Sequence, residues 1–85
     1  METTPGYYGL SSKIQLRELD NNRIGIYKVI KSRIIQKDAM KIIDIATQIK
    51  SVDPALEVTL ICSRNICSKS IALLEREGVT IELVD

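Results

Sequence analysis

Histidine, tryptophan and phenylalanine do not occur among the 85 residues, and the chain holds only two cysteines, two prolines and four glycines. Without histidine, nucleophilic triads that hand a proton to an imidazole are excluded unless a lysine substitutes. Cys62 and Cys67 are the only thiols, so a four-ligand zinc site would depend on unusual carboxylates, and neither a metal nor another cofactor is expected. Walker loops, dinucleotide fingerprints and serine elbows are missing as well, which removes the common nucleotide-binding and hydrolase motifs. No apolar run approaches the roughly 18 residues that a membrane span requires, and no charged segment leads into an apolar stretch as in a secretory signal. A cytoplasmic protein with no membrane partner is therefore expected.

What remains is aliphatic and charged. Fourteen isoleucines stand beside three tyrosines, so branched side chains supply nearly all of the hydrophobic driving force, and their stiffness at χ1 favours strands. Abundant Ile, Lys and Glu with few thermolabile residues is a thermophile-like composition, in which an intracellular disulfide between Cys62 and Cys67 is less improbable. The length suits one domain. Twelve basic residues nearly balance eleven acidic ones, yet the segment 13–50 holds nine basic and four acidic side chains, about +5, leaving the remainder acidic.

Residues 1–12 contain Pro5, Gly6, Gly9 and a Ser11-Ser12 pair without periodicity and read as an irregular arm, on which Tyr7 and Tyr8 could still dock; residues 13–85 form the single domain. Ile14 and Leu16 alternate with Lys13, Gln15 and Arg17, the pattern of a half-buried strand. Asp20, Asn21 and Asn22 close a turn, so the next strand, from Arg23 to about Lys31, returns antiparallel. That strand has apolar residues on both faces and is expected to be central. Ala39, Ile42, Ile43, Ala46 and Ile49 fall at helical spacing from Gln36 to about Val52, with Asp38 and Lys50 suited to the two ends of the helix dipole and Asp53-Pro54 as the stop. Ile45 lies on the polar side of that wheel and is a candidate partner contact. Glu57 to Cys62 reads as a buried strand, Cys67 to Glu77 as a helix ended by Gly78, and Val79 to Val84 as a last strand. The fold class is therefore α/β with a small mixed sheet in the order β-hairpin-α-β-α-β. Right-handed crossovers make the last three strands parallel.

Two clusters could carry chemistry. Lys28, Lys31, Arg33 and Lys37 follow one another along a strand end and the next connection, forming a basic edge able to neutralise phosphates; the plain alternative is a solvated face partly offset by Asp38 and Glu57. Ser63, Arg64, Asn65, Ser68 and Lys69 cluster between a parallel strand and a helix start, where α/β folds bind anions, the plain alternative being helix capping. Cys67 sits near that helix N-terminus, where a thiolate is stabilised; a buried, inert thiol is the alternative.

From about Lys13 onward the order resembles the core of the restriction-endonuclease-like superfamily, in particular Mrr-type catalytic domains and related archaeal nuclease-like proteins. In that family a hairpin strand ending in Glu-x-Lys precedes a helix that often opens Ile-Thr-Lys-Glu-Asp; here the matching text is Ile26-Tyr27-Lys28-Val29-Ile30-Lys31, then Ile34-Ile35-Gln36-Lys37-Asp38. The family's apolar strand, Phe-Thr/Ser-x-x-Ala helix start and closing Gly-Ile-x-Leu-Ile-Asp strand resemble Val58 to Cys62, Ile66 to Ser70, and Gly78 to Asp85. The resemblance implies a nuclease-like core. It also exposes a departure: Val29 or Ile26 stands where the Mg²⁺-binding glutamate belongs, and Ser11 or Ser12 at the other acidic position. Without two carboxylates a divalent ion has no seat. The expectation is a catalytically degenerate binding or assembly module with no catalytic residues, for DNA or RNA. A homodimeric interaction protein using Ile45 or an edge strand is the alternative, and a Mg²⁺ nuclease rearranged around Asp20, Asp38 or Asp85 is third.

Overall fold

The computed structural model describes residues 2–84. Met1 lies outside them, as does Asp85, one of the three aspartates of the rearranged-site reading. A one-turn 3-10 helix, Pro5–Tyr8, is followed by β1 (Gln15–Asp20), β2 (Arg23–Lys28), α1 (Gln36–Val52), β3 (Glu57–Cys62), α2 (Ser68–Arg76) and β4 (Thr80–Leu83). The strands form one sheet in the order β1-β2-β3-β4, β1 antiparallel to β2 and the others parallel. Among the described residues no helix is long and apolar enough to cross a membrane.

Local sequence explains most boundaries. Asn21 and Asn22 form the hairpin turn, whose start is braced by the Asn22 N–H donating to Asp20 Oδ1 at 3.3 Å. Asp38 accepts the Ile35 N–H at 3.1 Å, satisfying a donor that the first turn of α1 leaves unpaired. Gly78 ends α2 with a positive φ of 81°, a left-handed conformation that favours glycine.

Both crossovers step in the same direction across the sheet, so right-handed connections place both helices on one face, where they pack against each other. That face is the core. Ile24 and Ile26 lie in register with Val58 and Leu60, and with Cys62 they meet Ala39, Ile42, Ala46 and Ile49 of α1 and Leu74 of α2.

The opposite face carries no helix and is covered by its own side chains. Gly25 is needed there: a Cβ at that position would lie 2.6 Å from Ile61 Cδ1 and 3.3 Å from Leu19 Cδ1, so its bareness lets both side chains fold over β2. The Arg17 guanidinium stacks 3.9 Å from the Tyr27 ring centroid. Arg23 donates to Thr59 Oγ1 at 3.1 Å, which shares a 2.6 Å hydrogen bond with Thr80 Oγ1. Thr59 and Ile61 are thereby buried although no second layer stands over them.

Three sequence expectations change. The arm read as irregular contains the 3-10 turn, and Tyr8 is a core residue, 1% exposed, with its hydroxyl donating to Glu2 O at 2.6 Å. Strand β2 ends at Lys28 rather than Lys31, because the chain then turns away to reach α1. Ile45 is not an isolated apolar residue on a polar face: it is half-buried and packs beside the core, since the side of α1 that carries it faces Ile14 and Ile26 across a cleft.

Candidate functional site

The connections that follow β2 and β3 leave the same end of the sheet and pair with each other. Ile34 forms a parallel bridge with Ile66, its N–H donating to Asn65 O and its carbonyl accepting from Cys67 N, both at 2.9 Å. Asn65 completes the junction. Its Nδ2 faces Ile30 O at 2.9 Å, Lys31 O at 3.0 Å and Ser32 O at 2.7 Å, while its Oδ1 accepts from Ser63 Oγ at 2.6 Å. One amide, with two hydrogens to donate, thus gathers three consecutive carbonyls of the basic connection around it.

On this scaffold Lys31, Arg33 and Lys37 are exposed and Lys28 is half-buried. None of the four makes an ion pair with a described residue. The connection therefore presents Lys31 and Arg33 outward while its backbone is held from behind, with Lys28 at the end of β2 and Lys37 in the first turn of α1 flanking them.

Of the residues grouped as an anion cradle, Ser63 and Asn65 are brought together, but their polar atoms are engaged by each other and by the carbonyls of residues 30–32. Asn65 is a loop clamp, and it does not cap α2, whose N-cap is Cys67. Arg64 and Ser68 are exposed. Lys69 is exposed and borders a separate groove with Gln36, Ala72, Leu73 and Arg76.

The positions implied by the nuclease resemblance do not fit a divalent cation. Ile26 is buried and Val29 is 39% exposed, and neither side chain offers an oxygen ligand. Asp20 pairs with Arg23 at 3.4 Å before β2 begins, whereas Asp38 caps α1 beyond the strand's other end. Among the described residues no group of three or more His, Cys, Asp or Glu could hold a metal ion.

Beside Lys28 the sequence reading missed a cleft between the hairpin and α1. Its apolar wall comprises Ile14, Ile26, Ile42 and Ile45, and Lys13, Lys28 and Lys41 border it. Lys13 could have been found by counting back from the hairpin turn, because Gln15 pairs with Tyr27 and places residue 13 beside the end of β2. Lys41 carries no such local signal.

The two cysteines are free thiols in different surroundings. Cys62 is buried in the core, and burial pushes its pKa up. At the start of α2, the backbone N–H groups of Ser70 and Lys69 favour the Cys67 thiolate, with a smaller contribution from Arg33, and bring its pKa down. Comparison of the chain with family models, curated proteins and solved structures finds no match.

Proposed function

We propose that this chain is a nucleic-acid-binding module built on a restriction-endonuclease-like core without hydrolytic activity. The observation that carries the reading is the run Lys28, Lys31, Arg33 and Lys37, which spans the end of β2, the connection clamped by Asn65 and the start of α1, and is free of ion pairs with described residues. A clamped backbone lowers the cost of ordering the connection against phosphates, and the counterions released make binding strongly dependent on salt. The element order and the absence of a carboxylate at the acidic positions, which hold Val29 or Ile26 and Ser11 or Ser12, support a fold that keeps a phosphate-facing surface while lacking the groups for a metal-activated water.

Fluorescence anisotropy with labelled single-stranded and duplex DNA and RNA, titrated with salt, tests this. Lys28→Ala combined with Lys31→Ala is expected to weaken binding uniformly across sequences and to lower the slope of log K against log salt by about 2, roughly one for each phosphate that is no longer neutralised. An unchanged slope and affinity would remove the assignment. Prolonged incubation with Mg²⁺ is expected to leave the strands intact, and metal-dependent cutting would refute the loss of hydrolysis.

A further inference from the structure

The cleft between β1 and α1 has a composition that phosphate-backbone binding does not require. Ile26 and Ile42 are buried to 3% and 1% exposure and form its floor, while the half-buried Ile14 and Ile45 stand at its sides. Around this apolar interior are three cations, Lys13, Lys28 and Lys41; the other lining residues are Gln15 and Tyr27, and no carboxylate is among them. The three lysines make no ion pair with a described residue. Its volume is about 300 Å³, at the small end of sites that hold low-molecular-weight ligands.

Two physical pressures act on this arrangement. The isoleucine side chains leave apolar surface in contact with water, which a hydrocarbon group would displace favourably. Like charges around one opening repel, and an anion among them relieves that repulsion while gaining charge-assisted hydrogen bonds. Lysine suits this task because its aliphatic stem follows the apolar wall while its ammonium group stays at the opening.

We infer that the cleft is a binding site for a small amphipathic anion, a short aliphatic chain ending in a carboxylate or phosphate. The chain lies along Ile14, Ile26, Ile42 and Ile45, and the head group meets Lys13, Lys28 and Lys41. The inference goes beyond nucleic-acid binding and does not rest on it, because only Lys28 is common to both surfaces.

Isoleucine methyl spectra of the whole chain, titrated with octanoate, octyl phosphate and octanol, test the site. Saturable shifts confined to the methyls of Ile14, Ile26, Ile42 and Ile45 are expected with both anions, and octanol should bind at least about tenfold more weakly. Lys28→Gln with Lys41→Gln should weaken the anions by about tenfold or more while leaving octanol unchanged. Ile45→Glu should abolish anion binding. The triple variant Lys31→Ala, Arg33→Ala, Lys37→Ala, which removes the polyanion surface beyond Lys28, should bind octanoate like the parent; this separates failure of the cleft from failure of the nucleic-acid reading. Equal binding of octanol and octanoate, or shifts that never saturate, would overturn the proposal. So would movement of the same methyls with protein concentration alone, which would show that a second copy fills the cleft.

Discussion

Replacing Asn65 tests how far one side chain organises the candidate interface. Its amide has two hydrogens facing three carbonyls at 2.7–3.0 Å, so at most two hydrogen bonds are well formed at once. A further hydrogen bond, from Ser63 to Oδ1 at 2.6 Å, fixes the amide's orientation. Each such bond contributes about 1 kcal/mol net, and Asn65 is only half-buried, so water re-solvates part of what is removed. Asn65→Ala is therefore expected to destabilise the fold by about 2 kcal/mol. For a domain of this size that corresponds to a fall of about 8–16 °C in Tm, measured by circular dichroism or calorimetry. Asn65→Asp supplies the sharper comparison, because a carboxylate of nearly the same shape aims oxygens at three carbonyl oxygens and has no proton to donate at neutral pH. It should be less stable than Asn65→Ala, and acidification that protonates the carboxyl should narrow the difference. A loss below about 0.5 kcal/mol for Asn65→Ala, or an aspartate as stable as the parent, would refute the clamp.

Three further outcomes follow from particular side chains. Gly25→Ala should cost about 1–2 kcal/mol in chemical denaturation because its Cβ meets Ile61 Cδ1; Ile61→Val removes that atom, so the double variant should lose less than the sum of the singles, and simple additivity would refute the clash. Cys67 should react with iodoacetamide in the native state with a pH midpoint below the roughly 8.5 of a free thiol, while buried Cys62 stays protected until unfolding. Because the Cys67 pKa is lowered on folding, its thiolate favours the native state above the unfolded-state pKa and this contribution fades as pH falls through the native value; equal reactivity of both cysteines would contradict the assignment. Tyr8→Ala should destabilise the chain by about 3–5 kcal/mol, as expected for a buried aromatic, and Tyr8→Phe by about 1 kcal/mol through removal of the hydrogen bond to Glu2 O. A Tyr8→Ala variant as stable as the parent would show that the arm does not belong to the core.

Besides the cleft that Ile45 lines, the homodimer reading can draw on the outer edges of β1 and β4, the strands at the two ends of the sheet. Exposed edges are templates for pairing. Sedimentation velocity over a range of concentrations distinguishes an edge-paired dimer from a monomer, and a monomer throughout counts against that reading.

Sequence alone determined the order of elements and the direction of every strand. Alternation from Lys13, the Asp20-Asn21-Asn22 turn and helical spacing from Gln36 are local signals, and the handedness of crossover connections converts them into a mixed sheet without knowledge of packing. Lys28, Lys31, Arg33 and Lys37 were legible as a group for the same reason, being neighbours along the chain. Tertiary structure decided what joins residues far apart. Asn65 reaches carbonyls more than thirty positions earlier, Tyr8 enters the core from a segment without periodicity, and the cleft collects side chains from the first strand, the second strand and the flank of α1. No local pattern encodes these meetings, because they depend on sheet register and on how a helix lies across it. Those quantities are set by the packing of the whole isoleucine core.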